Sequence, residues 1–108
     1  MTSTLSEQEF RLRSDEALEA ARKALLPLAD SEGFEIELQN GVLVLIFEEP
    51  REAKFVVSPN APVRQIWVSA MARSYKAGWD PAHEGFALNG ERLTALVDRL
   101  AREFLESA

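Results

Sequence analysis

Apolar positions recur at three- and four-residue steps near both ends of the chain and mostly at two-residue steps between them. The N-terminal part predicts a helix, because Ser6–Glu9 forms a capping box and Leu5 and Phe10 flank it in the places of a hydrophobic staple. We expect Pro27 to end or bend this helix within its last turn and Gly33 to mark its exit. The apolar face of the helix comprises Phe10, Ala17, Leu18, Ala21, Leu25 and Leu28.

The middle of the chain predicts strands, since apolar and polar residues largely alternate there. Phe34–Gln39 and Val42–Phe47 flank Asn40-Gly41, a dipeptide that strongly favours a two-residue hairpin turn. A last helix is predicted to open near Asn89-Gly90 and to run from residue 91 to about residue 105. Four further strands are predicted between the hairpin and this helix, at Lys54–Ser58, Val63–Ala70, Arg73–Lys76 and Gly85–Leu88.

The order helix, strands, helix predicts an α+β fold. Strands joined by short turns form an antiparallel sheet, and two amphipathic helices can cover one of its faces while the other face stays in contact with water. With 108 residues the chain is long enough for one two-layer core. The prediction is therefore a single domain over residues 1–108, a two-layer sandwich in which five to six antiparallel strands are covered on one face by the N- and C-terminal helices.

Composition and charge exclude several functional classes. The chain has no cysteine, which excludes disulfides and thiolate chemistry and is typical of a cytoplasmic protein. The longest apolar run, Val42–Phe47, is far shorter than the roughly 20 residues of a membrane helix. The N-terminus shows no secretory signal peptide. The net charge is −6, with the acids concentrated in the first half, so we expect cations or a basic protein as partners and neither nucleic acid nor a membrane.

The segment after Arg64 places a tryptophan among polar residues. Ile66 and Val68 share one face of the predicted strand, and Trp67 lies on the other face between Gln65 and Ser69. One interpretation is that Trp67 points away from the helices as a partner-binding anchor. The other is that neighbouring side chains of the sheet cover it. Further apolar residues expected on the outer face favour the first interpretation, namely Val42, Val44 and Ile46.

The residues around Trp67 resemble the sheet signature of the frataxins. The match comprises Asn60, Pro62, Arg64 and the run Gln65-Ile66-Trp67-Val68-Ser69, and it continues with the similar pairs Tyr75-Lys76 and Trp79-Asp80. The long acidic first helix, the first hairpin and the C-terminal helix also agree, so the resemblance covers nearly the whole chain. It is closest to the bacterial branch of the family, the CyaY-like iron donors.

The resemblance implies a role in iron–sulfur cluster assembly, as an iron donor or as a regulator. The implied partners are a cysteine desulfurase and an iron–sulfur scaffold protein, contacted through Asn60, Gln65 and Trp67 with support from Arg64. The implied cargo is iron, Fe²⁺ or Fe³⁺, held weakly at the surface by an acidic ridge on the first helix and first strand. The acidic positions that match the family are Asp15, Glu16, Glu19, Asp30, Glu32 and Glu35.

The acidic ridge departs from the family pattern, because Arg22, Lys23, Leu26 and Pro27 occupy its densest part. We therefore expect weaker iron binding than in typical bacterial members, confined to residues 19, 30, 32 and 35. The residues alone favour a solvated face that maintains solubility. Two functions stay open: an iron-binding modulator of cluster assembly, and a frataxin-fold interaction module that has lost most iron binding.

An enzymatic function is not predicted. A ferroxidase needs a closely spaced carboxylate pair, and no pair in the sequence points to one. His83, the one histidine, lies in a predicted solvated turn, so we expect neither a zinc site nor a nucleophile–histidine pair. We expect a monomer, with an iron-dependent oligomer as the alternative.

Overall fold

The first helix begins and ends at the residues that its capping pattern predicts. The computed structural model describes residues 5–107, and in it α1 spans Glu7–Glu32. The Ser6 hydroxyl accepts a hydrogen bond from the Glu9 backbone N–H at 3.1 Å, and the Ser6 N–H donates to Glu9 Oε1 at 3.2 Å, which completes the capping box. Gly33 ends the helix in the left-handed conformation, with φ 82°.

Pro27 does not end α1, so this part of the prediction is wrong. The helix continues for five residues beyond it, to Glu32. A proline in a helix interior removes one backbone hydrogen bond and costs about 3 kcal/mol. Leu25 and Ala29, on either side of Pro27, are buried in the core, and their packing holds the last turns in place. The alternative outcome, a bend at Pro27, stays a prediction.

Within residues 5–107, seven strands form one antiparallel sheet in chain order, one or two more than predicted, and the α+β class is confirmed. A second helix, α2 (Leu93–Leu105), follows the last strand. The strands are β1 (Glu35–Gln39), β2 (Val42–Phe47), β3 (Ala53–Asn60), β4 (Gln65–Ala70), β5 (Arg73–Asp80), β6 (Gly85–Leu88) and β7 (Glu91–Arg92).

Four predicted strands have other bounds in the structure. β1 begins one residue later than predicted, at Glu35, and β3 extends beyond the predicted Lys54–Ser58 to Ala53–Asn60. The strand expected over Val63–Ala70 begins only at Gln65, because Ala61–Val63 forms a short 3₁₀ helix whose proline has no N–H to donate to a neighbouring strand. Arg64 then takes a left-handed conformation, with φ 54°. The strand expected to end at Lys76 continues as β5 to Asp80, because its last three residues pair with β6.

Asn89-Gly90 is a hairpin turn and not the start of the last helix. Both residues have positive φ, 52° and 82°, close to the 53° and 76° of the Asn40-Gly41 turn. The turn joins β6 to β7 and brings Leu88 opposite Glu91. The predicted helix start at residue 91 is therefore wrong, and α2 begins at Leu93.

The core lies between the two helices and the inner face of the sheet, meaning the face that the helices cover. Phe47 of β2 is at its centre, with ring centroids 4.6–4.9 Å from those of Phe34, Phe55 and Phe104. The predicted inner side of α2 is buried as well: Leu93, Leu96, Val97, Leu100 and Phe104. Within residues 5–107, no helix is both long enough and apolar enough to cross a bilayer.

Candidate partner-binding face

The outer face is the side of the sheet that the helices do not cover. Strand pairing sets which of its side chains are neighbours, since each residue of a central strand has a fixed partner on both sides. Trp67 of β4 lies opposite Ser58 of β3 and opposite Lys76 of β5. The next row along the strands is Glu37, Val44, Val56, Ser69 and Ser74, from β1 to β5.

Trp67 is 36% exposed, so it is neither a core residue nor a freely projecting one. Its indole N–H donates a hydrogen bond to Gln65 Oε1 at 3.0 Å. The Lys76 Nζ lies 4.8 Å from its ring centroid, which is a cation–π distance. The ring therefore points outward while its neighbours on the sheet cover some of it, and its role as a partner-binding anchor stays a prediction. A side chain held by two such contacts loses little conformational freedom when a partner binds.

An apolar strip extends from Trp67 across β3 to β2 on the outer face. It consists of Trp67 itself and four half-buried aliphatic side chains, which are Val42, Val44 and Ile46 of β2 and Val56 of β3. The alternate residues of β2 are buried against the helices, as the sequence predicts: Leu43, Leu45 and Phe47. Single exposed apolar side chains are ordinary, whereas a contiguous group of them is typical of an interaction surface.

The other predicted contact residues lie in two different surroundings. Asn60 and Gln65 pair with each other at one end of β3 and β4, are half-buried, and extend the outer face beyond Trp67. Arg64 instead anchors the N-terminal segment: its Nε donates to the Leu5 carbonyl at 3.0 Å and its Nη1 donates to the Ala61 carbonyl. The structure thus gives Arg64 a supporting position behind the face.

Sequence reasoning missed three members of the outer face, Lys54, Val56 and Lys76. The signal for Lys54 and Val56 was available, because the alternation that places Phe55 and Val57 inward places them outward. Lys76 is different. Its contact with Trp67 depends on the register of β5 against β4, which the sequence does not state.

The six acidic positions of the predicted iron ridge are not brought together. Asp15 lies beside the β1–β2 turn, with its Oδ1 close to Gly41. Glu16 follows Asp15 directly, and one residue rotates the side-chain direction by about 100° around the helix. Glu16 therefore lines a separate cleft of about 320 Å³, together with Trp79. There it forms a 3.3 Å ion pair with Arg13. Asp30, Glu32 and Glu35 are exposed near the end of α1 and the start of β1.

Glu19 is already occupied by the two cations that interrupt the ridge. The Arg22 guanidinium donates to its two carboxylate oxygens at 3.0 Å and 2.6 Å, and the Lys23 ammonium lies 3.9 Å away. The hydrogen bond from Arg22 lowers the pKa of the Glu19 carboxyl below its ordinary value. The same guanidinium covers the oxygen atoms that a metal ion needs.

The acidic residues do not fit a preformed iron site. Within the described part of the chain, no three carboxylate or histidine side chains form a group that could hold a metal ion. His83 is exposed and bonds Asp80 through its Nδ1, at 2.6 Å from Oδ2, and this bond lowers the pKa of Asp80. What remains for hard cations is single exposed carboxylates, with water completing the coordination shell.

Comparisons with known proteins agree with the fold. A family model described as the frataxin-like domain matches residues 3–107. The chain is 27% identical over 102 residues to the iron-sulfur cluster assembly protein CyaY of Ectopseudomonas mendocina, covering 93% of this chain and 89% of the relative. It is 30% and 31% identical, each over 71 residues, to the proteins of the same name from Cupriavidus metallidurans and Paraburkholderia xenovorans. These two alignments cover 66% of this chain and 64% of each relative.

Proposed function

This chain belongs to the frataxin-like family, and on that premise we propose that it is a cytoplasmic modulator of iron–sulfur cluster assembly. It acts by docking the outer face of its sheet onto the complex of cysteine desulfurase and scaffold protein. The family and the names of the bacterial relatives support the pathway. The observation that carries the docking mode is Trp67, partly exposed within the apolar strip and held by Gln65 and Lys76.

The outer face has the composition of a binding centre. Tryptophan is among the residues that most often carry binding energy at protein interfaces, particularly where a surrounding ring of side chains excludes water. Val56 lies on the neighbouring strand and Val42 on the strand beyond it, so both extend the apolar surface, and Asn60 and Gln65 supply amides that can bond a partner backbone. Gln65 also holds the Trp67 ring in place before binding, so less entropy is lost on docking.

Iron takes a secondary part in this proposal. The carboxylates of residues 30, 32 and 35 bind Fe²⁺ weakly as cargo, because they are exposed and do not come together as a group that could hold one metal ion. Glu19 contributes little while Arg22 holds it. The chain therefore regulates the assembly complex rather than delivering iron from a defined site, which favours the interaction-module form of the function. We propose no catalytic step, since a ferroxidase requires carboxylates that converge on the metal.

The experiment is calorimetric titration of the protein into a purified complex of cysteine desulfurase and scaffold protein. Trp67→Ala is expected to weaken binding by about 2 kcal/mol, or about 30-fold. Leu12→Ala is the matched control, because Leu12 is 57% exposed on α1, away from the outer face. The control should bind like the wild type. Equal affinities for wild type and Trp67→Ala would show that docking uses another surface.

A further inference from the structure

Opposite charges flank the apolar strip on the outer face. Glu35 and Glu37 of the edge strand β1 are exposed and alternate with Ile36 and Leu38, which pack on the core, so both glutamates point to this face. Lys76 of β5 lies on the other flank, beyond Trp67. Between the flanks, β2, β3 and β4 present valines, Ile46, serines and Trp67, with Lys54 at one end of β3 and the Asn60–Gln65 pair at the other end. The face is therefore acidic at the β1 side and mainly apolar in the middle, and Lys76 supplies a positive charge at the β5 side.

We propose that two copies of this chain associate face to face through the apolar strip, around a two-fold axis that runs parallel to the strands and over β3. An interface of this kind uses the same patch on both copies, so the patch must be complementary to itself. This interaction goes beyond the proposed function, because it needs neither the desulfurase complex nor iron.

The charge pattern selects the direction of the axis. A two-fold axis parallel to the strands reverses the strand order of the second copy, which places β1 of each copy over β5 of the other. The acidic flank then lies over the basic flank, on both sides of the interface. A two-fold axis at right angles to the strands keeps the strand order and places β1 over β1, so that the acidic edges of the two copies lie together. Like charges in that position repel one another.

The parallel axis also matches the apolar residues. With the axis over β3, Val56 meets Val56 of the second copy, and β2 lies over β4, which brings Val42 against Trp67. Packed sheets are about 10 Å apart, a spacing that side chains of this size fill. In this arrangement, Glu37 of one copy and Lys76 of the other copy are offset by two residues along the strand direction, or about 7 Å. The long lysine side chain spans this distance.

The same geometry predicts a weak dimer. The valines of the strip are already half-buried by their neighbours, so only part of their surface is left to cover. The two Lys54 side chains also meet at the rim, where water and salt screen their repulsion only in part. Because the dimer covers Trp67, it competes with every partner that docks on the outer face. A high concentration of the protein therefore lowers the fraction that can bind the assembly complex.

Sedimentation of the purified protein, with a chelator present to exclude iron, tests the proposal. The average mass is expected to rise towards that of a dimer as the concentration rises from micromolar to millimolar. Glu37→Lys and Lys76→Glu, each tested alone, should weaken the dimer about tenfold, because two ion pairs become two repulsive pairs. Glu106→Lys is the matched control for Glu37→Lys, since it makes the same charge change at the end of α2, in the helix layer.

The decisive sample is the equimolar mixture of Glu37→Lys and Lys76→Glu. In a mixed dimer, one copy carries lysine at positions 37 and 76 and the other copy carries glutamate at both positions. Position 37 of each copy lies over position 76 of the other, so a lysine meets a glutamate at both sites. The mixture should associate about as well as the wild type, which also shows that both variants are folded. A wild type that stays monomeric throughout, or a mixture that associates no better than its components, overturns the proposal. Neither result bears on docking to the desulfurase complex, which is measured separately.

Discussion

The outer face of the sheet and the acidic side of α1 are the two surfaces that the family resemblance connects with function, and they are built in different ways. Strand pairing assembles the outer face, so Trp67 has Ser58 and Lys76 as neighbours whatever the side chains around them. The acidic side has no such framework. Its carboxylates are single side chains on a helix, and Arg22 and Lys23 are sufficient to neutralise Glu19. A surface fixed by backbone register tolerates sequence change better than one that depends on accumulated charge.

The largest expected effect on stability distinguishes the inner face of the sheet from its outer face. Phe47 is 1% exposed at the centre of the core, whereas its neighbour Ile46 is half-buried on the outer face. Phe47→Ala is expected to lower the free energy of unfolding by about 3–5 kcal/mol, because it leaves a cavity. Ile46→Ala should cost less than half of that. Denaturant titration measures both, and equal losses would mean that the outer face is packed like the core.

The two tryptophans allow a similar comparison. Trp79 packs on the core, with its ring centroid 5.4 Å from that of Phe86, whereas Trp67 lies on the outer face. Trp79→Ala should lower the free energy of unfolding by about 3–5 kcal/mol, as for a core tryptophan. Trp67→Ala should lower it distinctly less. Thermal unfolding at one pH compares the variants. A greater loss for Trp67→Ala would make that residue primarily structural.

Much of this organisation was predictable from local sequence. The capping box at Ser6 and the Asn40-Gly41 turn were identified correctly because each depends on a few neighbouring residues. The two-residue period of a strand divides β2 correctly between core and outer face, although all six of its residues are apolar. Glu16 could also have been separated from Asp15, since consecutive helical residues point in different directions.

Other features depend on contacts that the sequence does not state. The sequence predicts a helix start near Asn89-Gly90 because β7 has only two residues, too few to show an alternation. α1 continues past Pro27 because the packing of its buried neighbours outweighs the tendency of proline to end a helix. Arg64 takes a left-handed backbone conformation just before β4 begins. The cation–π contact of Lys76 follows from the register between β4 and β5.

The acidic side should recover metal binding when its cations are removed. Arg22→Glu combined with Lys23→Glu releases Glu19 and adds two carboxylates. One unit charge at 4 Å is worth about 1 kcal/mol in water, so we expect Fe²⁺ affinity to rise about tenfold or more. Anaerobic calorimetry at low and high salt measures it, and binding should fall steeply with salt because the Debye length is only about 10 Å at 0.1 M.

The matched control is Arg73→Glu combined with Lys76→Glu, which makes the same change of net charge on β5, away from the acidic side of α1. It should raise the affinity much less. Tight binding by the wild type together with no change in the Arg22 and Lys23 variant would place the metal site elsewhere.

The smallest expected effect is the pH dependence of the Glu19–Arg22 pair. Because Arg22 lowers the pKa of Glu19 below 4.5, the pair stabilises the fold above that pH, and the contribution is lost as the pH falls through the lower, folded-state pKa. Glu19→Gln should therefore be slightly less stable than the wild type at neutral pH and equally stable in strong acid. Glu32→Gln is the control, because it removes an exposed carboxylate from the same helix. A difference that persists unchanged into strong acid would rule out the ion pair as its cause.

The most direct measurement is an NMR titration of the ¹⁵N-labelled protein with the desulfurase–scaffold complex, followed at the two indole N–H signals. The chain has two tryptophans, one on each face of the sheet. Docking through the outer face predicts that the Trp67 indole signal shifts or broadens first, since its N–H lies at the contact and bonds Gln65. The Trp79 signal and the amides of α1 should change least. An unchanged Trp67 signal, with changes concentrated on α1, would contradict the proposed docking face.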